Sequence, residues 1–118
     1  MFLTTKCIKR IEVISYKGEI FFRTKEVAEV LDVKQPFNFN FYIKEYAGEK
    51  EIWKGKRTAD FRKPSDDYRT TFIRIQILCD FLQSEAFEHR LRYNQSKKAE
   101  LLAELARYLS KRAGSHVI

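Results

Sequence analysis

Few residues in this 118-residue chain could carry catalysis or ligate a metal: Cys7, Cys79, His89 and His116. Zinc needs several deprotonated ligands converging at short, characteristic spacings. These four are scattered, so no metal is expected. Gly18, Gly48, Gly55 and Gly114 stand alone, which leaves neither a phosphate-cradling loop nor a dinucleotide fingerprint. No cofactor is expected either. His89 lies between Glu88 and Arg90 in a helical stretch and reads as a solvated side chain, while His116 falls in a C-terminal stretch expected to fray. Asp66-Asp67 could imitate a catalytic carboxylate pair, but it follows Pro64-Ser65 and reads as a turn. No nucleophile has an evident partner. The expectation is a protein that binds and is not an enzyme.

What it binds is suggested by charge. Lys and Arg outnumber Asp and Glu by 23 to 16, a net charge of +7, which favours anionic partners. The excess is local. Residues 1–52 carry nine bases and eight acids, whereas residues 53–74 carry seven bases and three acids. In that second stretch Lys54, Lys56, Arg57, Arg62, Lys63, Arg69 and Arg74 are interleaved with Trp53, Phe61 and Tyr68. Such a mixture suits nucleic acid, since the bases can neutralise phosphates and Gly55 lets a partner approach the backbone. The alternative is a solvated hairpin whose bases face water. Arg90, Arg92, Lys97, Lys98, Arg107, Lys111 and Arg112 form a second basic region, but Glu85, Glu88, Glu100 and Glu104 intersperse it as on an ordinary solvated helix.

These residues must be held by an α+β domain. Ile8, Ile11, Val13 and Ile14, then Ile20, Phe21 and Phe22, flank Lys17-Gly18 and predict a small N-terminal hairpin. Thr24 is placed to cap a short helix, Lys25 to Leu31, which ends near Asp32 before Pro36. Phe37, Phe39 and Phe41 alternate with Asn38, Asn40 and Tyr42, a periodicity that by itself favours a strand. Were 37–45 helical instead, Phe37, Phe41 and Lys44 would share one face and Asn38, Tyr42 and Glu45 the next. Ala47 to Lys50 reads as a turn and Glu51 to Arg62 as a second, basic hairpin, broken by Lys63-Pro64. Ile73, Ile77, Leu78, Phe81 and Leu82 predict a helix over 71–83 capped by Thr70 or Thr71. Ser84 caps the next, with a break allowed at Asn94-Gln95-Ser96.

Residues 1–93 thus form the domain, and 94–118 a C-terminal helix. Its stripe of Leu101, Leu102, Leu105, Tyr108 and Leu109 serves either packing on that domain or a homodimer. Aromatics are 14% of the chain, more than so small a core encloses easily, so some rings should reach the surface. Two cysteines are too few and too far apart for a disulfide framework and are expected to be reduced. No 18-residue apolar run exists and Met1 to Lys6 does not read as a secretory leader, so the expectation is a cytoplasmic protein without a membrane partner.

Tyr16 to Leu31, with Lys25-Glu26-Val27 and Leu31 in the helix and Pro36 in the following turn, resembles the start of a Bro-N domain. That family occurs in phage antirepressors and large DNA viruses, and the likeness runs over about residues 8–93. Its sharpest part is 16–36. Phe37 to Phe41 stands where the family has a charged helix, and Ile75-Gln76-Ile77 where a Glu-Ser-Gly-Leu-like stretch is common. The resemblance implies a phage or mobile-element origin, a compact α+β domain, and binding of DNA or of a regulatory protein. On that expectation Lys54, Lys56, Arg57, Arg62, Lys63 and Arg69 hold phosphates of double-stranded DNA, and Asn38, Asn40 and Tyr42 probe a groove, Asn being able to pair with adenine edges. The other reading is an inhibitor that sets the same basic, aromatic surface against a host or phage protein.

Overall fold

The computed structural model describes residues 2–3 and 11–115. Ile8, Cys7 and His116 lie outside them. The chain is α+β, with a three-stranded antiparallel sheet and five helices among the described residues. Strand β1 (Phe2–Leu3) pairs with β2 (Ile11–Glu12), and the main sheet has the order β3 (Ile14–Tyr16), β4 (Glu19–Arg23), β5 (Phe72–Arg74). Lys17 and Gly18, at φ 50° and 82°, make the two-residue turn between β3 and β4. A positive φ at both central residues matches the twist of the flanking strands.

Side chains alternate across the sheet. Ile20, Phe22 and Ile73 enter the main core, whereas Ile14, Phe21 and Phe72 form a second cluster on the opposite face. The helices cover the first face. Helix α1 (Thr24–Val30) begins without an intervening loop, and Thr24 is its first residue, not its cap. The Thr24 N–H still donates to the Thr71 carbonyl at 3.0 Å, so strand pairing continues where capping was expected. Helix α1 ends on Asp32 at φ 58°, with Val33 N–H donating to Ala28 and Asp32 N–H to Glu29. Those two bonds satisfy carbonyls that a helix end leaves bare.

The segment after Pro36 is helical: α2 spans Pro36–Ala47. Proline at the first position has a preset φ and no N–H to waste. Phe39 and Ile43, one turn apart, are fully buried, and of the alternating phenylalanines only Phe39 points inward. The structure also replaces the expected hairpin at 51–62. Trp53 exchanges both backbone hydrogen bonds with Phe72, and on either side of it the chain turns through short 3-10 segments, Glu49–Glu51 before and Gly55–Thr58 after. Trp53 and Phe61 pack on Phe21 and Phe72, so this segment roofs the second sheet face instead of forming strands of its own.

The helix expected over 71–83 is shorter. Phe72–Arg74 is recruited as β5 against β4, and α3 (Ile75–Leu82) follows directly, with Arg74 at its cap position in place of Thr70 or Thr71. Helix α4 (Glu85–Arg90) is capped by Ser84, whose Oγ accepts from Phe87 N–H at 3.2 Å. The break falls at 91–94, earlier than the expected Asn94-Gln95-Ser96, because Asn94 Oδ1 accepts from Lys97 N–H at 3.0 Å and so caps α5 (Gln95–Ser115), which takes Gln95 and Ser96 into the helix. Leu101 and Leu105 are buried in the main core, with Leu102, Tyr108 and Leu109 half-buried against it. The α5 stripe therefore packs on its own domain, and two of the residues considered for a homodimer face inward. No helix among the described residues is long and apolar enough to cross a membrane.

Candidate nucleic-acid interface

Seven bases of the 53–74 stretch divide by what holds them. Arg74 pairs with Glu51 and Glu19, Lys63 donates to Glu12, and half-buried Arg62 donates to the Gly55 carbonyl at 3.1 Å. These three brace the fold. Lys54 and Lys56 are exposed with no acid partner among the described residues. Exposed Arg57 lies 3.8 Å over the Trp53 ring and donates to the Lys50 carbonyl at 2.6 Å, which fixes a cation at the surface by stacking. Arg69 extends into solvent, 87% exposed, facing Asp67 at 3.6 Å. Four bases of the expected six, Lys54, Lys56, Arg57 and Arg69, thus remain presented outward.

Gly55 serves the chain itself. At φ 62° it lies in the left-handed region, its N–H donates to the Tyr68 carbonyl at 3.2 Å, and a Cβ there would sit 3.2 Å from the Tyr68 hydroxyl. The close approach foreseen for a partner is made by Tyr68. Gly55→Ala should lower stability by about 1–2 kcal/mol through the positive φ. A thermal midpoint unchanged from the parent would refute that strain.

The expected readers on α2 differ in availability. Asn38 donates to Gln35 Oε1 at 2.6 Å, and half-buried Tyr42 packs on the core with Arg90 5.6 Å from its ring. Asn40 is distinguished by a buried group left unpaired: its Oδ1 has no hydrogen-bond partner. It lines a groove of about 500 Å³ with Lys25, Phe37, Arg69, Thr70 and Thr71, and with one carboxylate, Asp67. The groove joins the start of α1, the first turn of α2 and the turn before β5, and so brings together an expected reader and an expected phosphate contact. Lys25 and Phe37 were not among the expected site residues. The signal for Phe37 was Pro36, because a proline at the first helical position puts the next side chain on an open first turn.

No protein-family model, curated protein or solved structure matches this chain. Phe37 is 75% exposed and Phe41 60%, one turn apart on α2, and Tyr68 is 62% exposed beside Gly55. Phe37 shares its groove with Lys25, so an aromatic face there lies near a base without an acid partner among the described residues and can combine stacking with phosphate attraction. His89 and Cys79, the other reactive side chains described, do not join them. His89 is exposed in the last turn of α4, and burial raises the thiol pKa of half-buried Cys79, which disfavours the thiolate.

Proposed function

We propose that this protein is a non-enzymatic, DNA-binding regulator of antirepressor type, from a phage or mobile element and acting in the cytoplasm. The observation that carries the reading is the outward presentation of Lys54, Lys56 and Arg57 on one turn without acid partners, with Arg57 steadied by Trp53. Support comes also from the Bro-N resemblance, whose sharp part coincides with the β3–β4 hairpin and α1. Duplex DNA should bind with an affinity that falls steeply as salt is added. The combined change Lys54→Glu, Lys56→Glu and Arg57→Glu should weaken binding more than tenfold at about 50 mM salt and flatten the log–log salt slope by about 2–3, near 0.9 for each lost phosphate contact. Electrophoretic titration of a random duplex reads both, and an unchanged slope would reject the surface.

A second reading has its own observation. Phe37 and Phe41 lie uncovered on one helix face, an anchor spacing that suits a groove on another protein. In that reading the chain inhibits a host or phage regulator, and Phe41→Asp should abolish a nuclease-resistant, stoichiometric complex while leaving duplex affinity unaltered.

A further inference from the structure

The groove between α1, α2 and the turn before β5 falls within the range of about 300–1,000 Å³ that small-molecule sites occupy. Its walls are set before any ligand arrives. Thr24 N–H and its hydroxyl both donate to the Thr71 carbonyl, at 3.0 and 3.3 Å, and the Thr71 hydroxyl donates to the Arg69 carbonyl at 3.2 Å. Four side chains are left with unmet capacity. Phe37 offers a ring open to solvent. Asn40 Oδ1 is the one buried side-chain oxygen or nitrogen among the described residues that lacks a partner. Lys25 and Arg69 supply positive charge, and the contact of Arg69 with Asp67 is too exposed to hold it firmly.

A buried carbonyl oxygen without a donor is unfavourable, so a turn of the Asn40 amide that brings its Oδ1 to a ligand N–H in the groove gains what the free protein lacks. The amide also carries an NH2, and together they match an edge that sets a donor beside an acceptor, as a nucleobase does. A planar base suits the Phe37 face, and its phosphate suits the two cations. We propose that this groove receives a single unstacked nucleotide, with the base against Phe37, its edge on Asn40 and its phosphate between Lys25 and Arg69. This rests on the nucleic-acid reading and narrows it, from a duplex held by its backbone to a duplex or strand that offers an unpaired base.

Fluorescence anisotropy at about 50 mM salt should compare three labelled probes: a fully paired duplex, the same duplex with one unpaired adenine, and a short adenylate single strand. The unpaired adenine should tighten binding about tenfold. Phe37→Ala and Asn40→Ala should each remove that ratio, while the triple Glu variant at Lys54, Lys56 and Arg57 lowers both duplex affinities and preserves it. Phe37 is largely exposed, so its replacement leaves the core intact, and circular dichroism verifies folding of each variant. Equal affinity for the two duplexes, or a preference that survives both substitutions, overturns the groove while leaving duplex binding standing. Single-strand binding that is lost with Phe37→Ala, in the absence of any duplex binding, upholds the groove and rejects the duplex reading. Binding of none of the three probes rejects both.

Discussion

Phe81→Ala should destabilise the protein by about 3–5 kcal/mol, the range for removing a fully buried phenylalanine. Phe81 has no exposed surface, and its ring centre lies 5.6 Å from Phe39, 5.4 Å from Phe87 and 5.7 Å from Tyr46. One ring of α3 thereby touches α2 at two points and α4 at a third. The contacts with Phe39 and Phe87 are edge-to-face, which adds about 0.5–1.5 kcal/mol to the burial for each pair. Domains of this kind are stable by only about 5–15 kcal/mol in total. The loss is therefore expected to move the urea midpoint far enough to be read directly, and Phe81→Leu, which keeps most of the volume, should lose much less. A Phe81→Ala variant within about 1 kcal/mol of the parent would contradict the packing described.

The second large effect lies at Arg23. Its guanidinium donates to Asp66 Oδ1 at 2.7 Å and Oδ2 at 2.8 Å, to Glu12, and to Glu26 at 3.4 Å. The Arg23, Glu12 and Asp66 side chains are only 11%, 13% and 9% exposed. Arg23→Met keeps the length but leaves Asp66 without its cation and Glu12 with Lys63 alone, a change of about 3–5 kcal/mol for comparable buried pairs. Arg23 holds the Asp66 pKa below its usual value, and although burial pushes Glu12 upward, hydrogen bonds from Lys63 and Arg23 outweigh it. For Glu26 burial prevails over Arg23 and raises the pKa.

These directions fix the sign of the acid response. Asp66 and Glu12, with lowered pKa values, stabilise the fold above the ordinary carboxylate range near about pH 4, and that contribution is lost as pH falls through their folded-state values. Glu26 acts in the opposite sense and offsets part of the loss. The parent should therefore weaken on acidification below about pH 4. Arg23→Met should respond the other way over the interval just above, because protonation relieves the unpaired carboxylates. Urea unfolding of both proteins at a series of pH values gives the comparison, and parallel curves would show that Arg23 is not the organising cation.

Local chemistry made part of this legible beforehand. Lys17-Gly18 specifies its hairpin, Ser84 its cap, and the leucine spacing of α5 its buried stripe, since each is decided by neighbours in the chain. The failures share a cause. Phe37, Phe39 and Phe41 mimic the period of a strand, and helix wins because Phe39 and Ile43 meet the core formed with Phe81 and Phe87. Phe72–Arg74 looks helical beside Ile77, yet a place against β4 is available only in three dimensions. Likewise the engagement of Lys63 by Glu12, and of Asp66 by Arg23, spans more than forty residues, so counting charges along 53–74 overstated how many were presented outward. The groove was invisible for the same reason, being assembled from three separated turns.

The short 3-10 segments that roof the second sheet face differ from the strands beneath them in what they tolerate. Adding a single residue to β4 or β5 would send Phe22 and Ile73 to the wrong side of the sheet. Doubling the 48–71 segment, by contrast, adds about 0.6 kcal/mol of closure entropy, provided Trp53 and Phe61 keep their seats. Over evolutionary time the length of that segment and the charge of its outward residues 54–57 can drift while the sheet and the Arg23–Asp66 pair stay fixed, so related chains that meet different partners are expected to diverge first there.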